Sequence, residues 1–187
     1  SQAGAELARF VNETGQRSWD DIRVLCGAER LFPADRAALE QAFGPEVFET
    51  YGSREVMLIG SECEAHAGLH LSMENLIVEL LVERDGQFRP AEPGELGQVA
   101  VTDLHNLGMP FIRYLNGDLA IANAPARCAC GRGLDRLASV EGRENDTLRG
   151  ADGRAIDSLF FNVLFSVLGG KVRQFQALQR AAEAAWL

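Results

Sequence analysis

The sequence predicts a mixed α/β fold, and three observations carry it. A short apolar run at residues 22–26 empties through Gly27-Ala28-Glu29 into a helical pattern over residues 33–43 that opens on a proline, the order of a βα unit. From residue 76 to residue 140 the pattern changes to extended runs broken by turn residues, as in an antiparallel sheet or small barrel. After Gly142 come hairpin, helix and strand signals, which read as the start of an α+β unit.

Taken in order, residues 5–11 place apolar side chains at helical spacing and run out at Gly15, so the chain is expected to open on the end of a helix. Strand pieces at 47–50 and 56–60 flank Tyr51-Gly-Ser-Arg-Glu55, read as a turn. Residues 76–83 form a strand, Arg84-Asp-Gly-Gln87 a turn, and residues 90–97 a Pro- and Gly-rich link to a strand at 98–104. Gly117-Asp118 reads as a turn into a strand at 119–122, and residues 134–140 supply one more. A hairpin around Asp152-Gly153, an apolar helix at 158–168 and a strand at 172–178 close the pattern. The expected division is a large domain over residues 1–141, followed by a second over residues 142–187.

Composition narrows the function classes. With 187 residues, 47% of them apolar and 24% charged, the chain has ordinary globular usage. A chain of this size buries roughly 70% of its unfolded surface, enough for a real core. No apolar run reaches the roughly 20 residues of a membrane-spanning helix, and no basic-then-apolar leader opens the sequence, so a cytoplasmic protein without membrane contact is expected. The net charge of -9 disfavours a nucleic-acid surface, including a nucleic-acid-binding zinc ribbon, because phosphate binding needs clustered Lys and Arg.

Three motifs stand in order: Phe48-Glu-Thr-Tyr-Gly-Ser-Arg-Glu55, Pro110-Phe-Ile-Arg-Tyr-Leu-Asn-Gly-Asp118 and Gly142-Arg-Glu-Asn-Asp146. With Cys26-Gly-Ala-Glu-Arg-Leu31, Pro93-Gly-Glu-Leu-Gly97, Cys128-Ala-Cys-Gly-Arg132 and Phe175-Gln-Ala-Leu-Gln179, the chain resembles the phenylacetate-CoA ligase-like and coenzyme F390 synthetase-like branch of the acyl-adenylate-forming superfamily. The resemblance implies the later part of that family's large domain with the start of its mobile C-terminal domain. It implies an ATP-dependent ligase that activates a carboxylate, at family level an aryl or arylacetic acid, as an acyl-adenylate. The acyl group then passes to coenzyme A or a carrier-protein thiol.

Under that resemblance ATP or AMP would lie against Gly27, Ala28, Glu29, Tyr51, Gly52, Ser53 and Arg54. Asp118 would take the ribose hydroxyls, since hydroxyls donate best to a charged acceptor. Arg143 would reach phosphate and ribose with a planar fork of donors. Glu55 would hold Mg2+ on the phosphates, an ion that favours few carboxylates plus phosphate oxygens. Two departures are visible: Asn145 stands where the family hinge aspartate is usual, with Asp146 next, and Lys171 lies too early to be the adenylating lysine. The Gly- and Ser/Thr-rich phosphate loop found upstream in the family is not among these residues. The expectation is therefore a fragment, close to inactive alone, whose open apolar face favours a homodimer.

Cys63-x2-His66-x3-His70 and Cys128-x-Cys130-Gly131 are two compact ligand groups with sheet-like sequence between them. Two such groups brought together by strands build a closed tetrahedral Zn2+ site, with Cys63, His70, Cys128 and Cys130 as ligands and His66 as the substitute for His70. Four protein ligands leave no open position, so the role is structural. The alternative is unrelated thiols and a surface histidine. A second function class stays open beside the ligase: a non-catalytic nucleotide-binding or zinc-stabilised interaction module.

Overall fold

A computed structural model describes residues 2–27 and 29–144, together with strand residues 148–149, 155–156, 178–181 and 184–186. Helix α1 (Gln2–Thr14) ends where Gly15, at φ 65°, returns its amide to the Val11 carbonyl. A left-handed residue there costs glycine nothing, which fixes the stop. Strand β1 (Val24–Cys26), helix α2 (Pro33–Phe43) and strand β2 (Val47–Ser53) follow, and β1 pairs with β2 in parallel, as the predicted βα unit requires. Proline at the first turn of α2 loses no hydrogen bond, because those amides have no intrahelical partner.

The antiparallel part is one sheet with the βα unit rather than a separate barrel. Strands β3 (Met57–Ser61), β4 (Leu69–Leu71), β5 (Leu76–Arg84), β6 (Gln87–Pro90), β7 (Leu96–Asp103), β8 (Tyr114–Ala122) and β9 (Arg136–Arg143) complete a nine-stranded sheet of order β1-β2-β3-β4-β9-β8-β7-β5-β6. The β5–β6 hairpin turns on Asp85 and Gly86, both at positive φ, the backbone that matches a two-residue loop to the strand twist.

Two expectations are corrected here. Tyr51, Gly52 and Ser53 lie inside β2, and the turn is residues 54–56. Gly52 is required for a different reason: a Cβ there would stand 2.2 Å from the Met57 carbonyl oxygen. Likewise Gly117-Asp118 is a bulge inside β8 rather than a turn before it. Gln98 pairs with Leu119 but Ala100 pairs with Leu115, so Asn116, Gly117 and Asp118 oppose Val99 alone.

Two apolar clusters hold the sheet. Helices α1 and α2 bury Ala8, Val11, Leu39, Ala42 and Phe43 with Cys26 and Val47 of the βα unit. Under the antiparallel strands Ile59, Leu71, Leu76, Val99, Val101 and Leu137 pack together. Each fully buried aliphatic side chain contributes about 1.5–3 kcal/mol.

Strands β10 (Leu148–Arg149) and β11 (Ala155–Ile156) pair as the expected hairpin, although its Asp152-Gly153 turn lies outside the described residues. Strands β12 (Leu178–Ala181) and β13 (Ala184–Trp186) form a hairpin that the sequence reading did not anticipate. The expected helix at 158–168, the expected strand at 172–178 except its last residue, Lys171, Asn145 and Asp146 lie outside the described residues. No described helix is long and apolar enough to cross a membrane.

Candidate functional site

Parallel pairing of β1 and β2 brings the ends of both strands, with Gly27 and Glu29 after β1 and residues 51–55 at the end of β2, to one side of the sheet. Ends of parallel strands are where α/β sheets place ligands. Antiparallel order then adds the β8 bulge and the end of β9, whose Arg143 pairs in register with Asp118. Between these elements lies a compact polar cluster. The Tyr51 hydroxyl donates to Asp118 Oδ2 at 2.8 Å, and Asn116 Nδ2 donates to both the Tyr51 oxygen at 2.8 Å and Asp118 Oδ2 at 3.0 Å. Asn116 Oδ1 accepts the Asp118 amide at 3.0 Å, and Arg143 Nε stands 3.6 Å from Asp118 Oδ1.

The electrostatics follow from burial. Tyr51 and Asp118 are both buried. Burial pushes the Tyr51 phenol well above its ordinary range, with the Asn116 hydrogen bond working against it, so Tyr51 keeps its proton. Burial also pushes the Asp118 carboxyl up, while the Tyr51 hydrogen bond and the Arg143 charge pull it back. Glu55 extends the cluster toward solvent: it accepts from the Tyr114 hydroxyl at 3.2 Å, and its own backbone amide holds its carboxyl below the usual range. Arg143 lowers Tyr51, Asp118, Glu55 and Tyr114 alike, so one guanidinium sits within electrostatic reach of all four.

Of the sequence-predicted nucleotide residues, Tyr51, Asp118, Arg143 and Glu55 come together. Gly27 packs against Thr50, where a Cβ would meet Oγ1 at 3.0 Å, and Glu29 is exposed in the same loop. Gly52 and Ser53 belong to β2, Arg54 is exposed in the following turn, and Ala28 lies outside the described residues. Asn116 and Tyr114 were missed as site residues. The signal was available, since both stand within the quoted Asn-Gly-Asp motif segment.

A second cluster forms where β3 hands over to β4. Ligand atoms of Cys63, His70, Cys128 and Cys130 all lie within 4.8 Å of one another. The Cys63 and Cys128 sulfurs are 3.6 Å apart, and Cys130 Sγ is 3.4 Å from His70 Nε2. Two thiolates on one tetrahedral zinc at about 2.3 Å stand about 3.8 Å apart, so the donor set fits that ion. Both contacts are also within hydrogen-bonding range of sulfur, so it is the convergence of all four ligand atoms that points to an ion. Cys63, His70 and Cys128 are buried; His70 turns Nε2 to the thiols, and its Nδ1 is buried without a partner among the described residues. Burial pushes the Cys63 thiol up. At Cys130 burial works the same way, but the Arg132 amide and guanidinium and the neighbouring thiols bring it down to about 6.

His66 does not substitute for His70. It is exposed at φ 46°, stacks on Phe48 with ring centroids 5.4 Å apart, and lies 3.3 Å from both Glu62 and Arg36. Glu62, largely buried, also accepts from Arg36 at 2.6 Å and from the Glu49 amide at 2.7 Å, which anchors the elbow leading into Cys63. Across the cluster Arg132 donates to Glu64 at 2.8 Å, tying the two ligand loops together.

No family model matches the chain. Curated relatives do: it is 31% identical to phenylacetate-coenzyme A ligase of Thermus thermophilus over 128 residues, 67% of this chain and 28% of that protein. The corresponding ligase of Aromatoleum evansii is 34% identical over 125 residues, covering 65% and 27%, and that of Escherichia coli 32% over 147 residues, covering 76% and 32%. The chain thus spans about a third or less of the curated relatives it matches. Among solved structures, an open 2-hydroxyisobutyryl-CoA ligase in complex with 2-HIB-AMP and CoA superimposes with TM-score 0.69 at 20% identity, over 90% of this chain and 38% of that one. The adenylation domain of a carboxylate reductase from Mycobacterium chelonae does so with TM-score 0.61 at 17% identity, over 85% and 24%. At those identities the structural likeness establishes the fold.

Proposed function

Because the chain is related in sequence to the phenylacetate-coenzyme A ligases and in fold to the adenylate-forming enzymes, we propose that it supplies the ribose-contacting part of an ATP-dependent acid–thiol ligase. The observation that carries this is the Tyr51–Asn116–Asp118 cluster beside Arg143, at the end of the parallel strands. In the whole protein a substrate carboxylate oxygen attacks the α-phosphorus of ATP and pyrophosphate leaves. The thiol of coenzyme A or of a carrier protein then attacks the acyl carbon, and AMP leaves.

In this reading Asp118 accepts from the ribose hydroxyls and Arg143 offers its fork to phosphate and ribose oxygens. Glu55, exposed and held ionised, holds Mg2+ against the phosphates, where the ion offsets phosphate charge. Residues 142–187, which leave the sheet through the end of β9, supply the hinge and the start of the second domain, and rotation about that hinge separates the two half-reactions. Zinc, bound by Cys63, His70, Cys128 and Cys130, ties the β3–β4 elbow to the loop before β9. An aryl or arylacetic acid is the proposed substrate and the cytoplasm the proposed compartment.

Thermal unfolding with and without AMP and ATP–Mg2+ tests the reading, since a ligand bound only to the folded state raises the melting temperature. Stabilisation by millimolar AMP, absent with equal phosphate, is the expected result. Stabilisation by zinc but by no nucleotide would replace the ligase with a zinc-stabilised interaction module, which the thiol cluster alone would favour.

A further inference from the structure

The hydrogen bonds around Asn116 fix more than a position. A side-chain amide nitrogen only donates, so Asn116 Nδ2 at 2.8 Å from the Tyr51 oxygen occupies that oxygen as an acceptor. The phenol proton must then point at Asp118 Oδ2, 2.8 Å away. That same Oδ2 also receives Asn116 Nδ2 at 3.0 Å, so it holds two donors. Asn116 is itself locked, because its Oδ1 takes the Asp118 amide at 3.0 Å, which settles which end of its amide is oxygen. What remains of the carboxylate is Oδ1, which among the described residues meets only the loose approach of Arg143 at 3.6 Å.

We propose that Asn116 is a positioning residue for nucleotide binding: it fixes the Tyr51 hydroxyl and the Asp118 carboxylate in one proton arrangement, so that Oδ1 alone is presented to the vicinal hydroxyls of a ribose. The inference rests on the nucleotide reading above and assigns the ribose selectivity of that site to a residue that does not touch the ligand. Glycine at 117 is what permits it. At φ 81°, with open space around it, Gly117 turns the bulge so that Asn116 and Asp118 meet through their side chains two positions apart. High Tyr51 proton affinity keeps the phenol a donor across the physiological range. Without Asn116 the Tyr51 oxygen regains a free lone pair and Oδ2 loses one of its two donors, so Oδ2 competes with Oδ1 for the ribose.

The test compares AMP with 2′,3′-dideoxy-AMP by titration calorimetry on the intact protein, in wild type and in Asn116→Leu. Wild type is expected to bind AMP at least tenfold more tightly than the dideoxy form. Asn116→Leu is expected to weaken AMP about tenfold, leave the dideoxy form within twofold, and so close most of the gap. Asn116→Asp, which keeps the size but replaces the donor, gives a second route should the leucine variant misfold, and the same closure is expected. Equal weakening of both ligands means a purely structural role and overturns the proposal while leaving the nucleotide reading intact. A wild-type protein that binds neither nucleotide overturns the reading and the proposal together. A wild-type protein that binds both equally overturns the proposal and the ribose role of Asp118.

Discussion

The two polar clusters of this molecule are built on opposite terms. Tyr51, Asn116 and Asp118 satisfy one another: every close contact pairs a donor with an acceptor, and Asp118 Oδ1 is left to face a ligand. Cys63, His70, Cys128 and Cys130 do not. Four ligand atoms converge within 4.8 Å, with the Cys63 and Cys128 sulfurs 3.6 Å apart, so thiolates there repel one another unless a cation lies between them. A self-satisfied cluster is stable without its ligand and can be specific. A cluster of unsatisfied donors is stable only around a cation, since buried polar groups without partners cost about 1–3 kcal/mol each. The difference separates a site that waits for a ligand from one whose occupant belongs to the folded state.

The largest expected effect attacks the second cluster. Stripping metal with a strong chelator, or Cys128→Ser, should lower the melting temperature by about 10 °C or more, because metal binding there is folding free energy. Scanning calorimetry checks it, and a shift under about 2 °C would mean that the thiols are not a metal site.

Next come two glycines that divide the comparison. A Cβ at Gly68, where φ is 98°, would stand 2.3 Å from the Leu137 carbonyl oxygen, between His66 and His70. Gly68→Ala should cost about 3 kcal/mol and release zinc, read by a colorimetric chelator, while AMP still binds whatever remains folded. Gly52→Ala, whose Cβ would meet the Met57 carbonyl oxygen, should do the reverse and abolish AMP protection while zinc stays bound.

A smaller effect sharpens the contrast from the other side. Burial raises the Asp118 carboxyl, so its charge opposes folding at neutral pH. Asp118→Asn should therefore leave the melting temperature of the ligand-free protein unchanged or higher while weakening AMP at least tenfold, by titration.

Smallest is an acid-limb effect far from both sites. Arg89 grips Glu95 with two contacts of 2.7 and 2.6 Å, and with the Glu92 amide holds its carboxyl down at about 2. A carboxyl held low in the folded state contributes stability that is present above its unfolded value of about 4.5 and lost as pH falls toward 2. Glu95→Gln should flatten the melting temperature across that window and change little at pH 7.

Some of this was legible because the cause is local. Helix α2 runs over the predicted residues since Pro33 opens it and Gly44, at φ 113°, closes it. Asp85-Gly86 announced its hairpin by composition, and the ligand spacings announced three cysteines and a histidine that the structure does bring together. What stayed hidden depends on distant partners. Glycine was read as a turn signal at Gly52 and Gly117, but one is demanded by a neighbouring carbonyl and the other by a bulge facing Val99. Strand β4 is three residues long, too short to carry a period, yet it delivers His70 and joins β3 to β9. The union of the βα unit with the antiparallel strands rests on that same short link, which no local pattern announces.

The bulge in β8 has an arithmetic of its own. It adds an even number of residues: paired positions sum to 217 on one side, as in Gln98 with Leu119, and to 215 on the other, as in Ala100 with Leu115. Side chains alternate between faces with a period of two, so an even insertion leaves every inward position inward. The sheet beyond the bulge cannot tell that it is there. Removing Asn116 and Gly117 together would restore an unbroken ladder with β7 and keep its core face intact, whereas removing either one alone would turn half of β8 inside out. The segment is in this sense detachable from the fold that displays it, and a lineage could gain or lose the site by an in-frame change of two adjacent codons without rebuilding the sheet beneath.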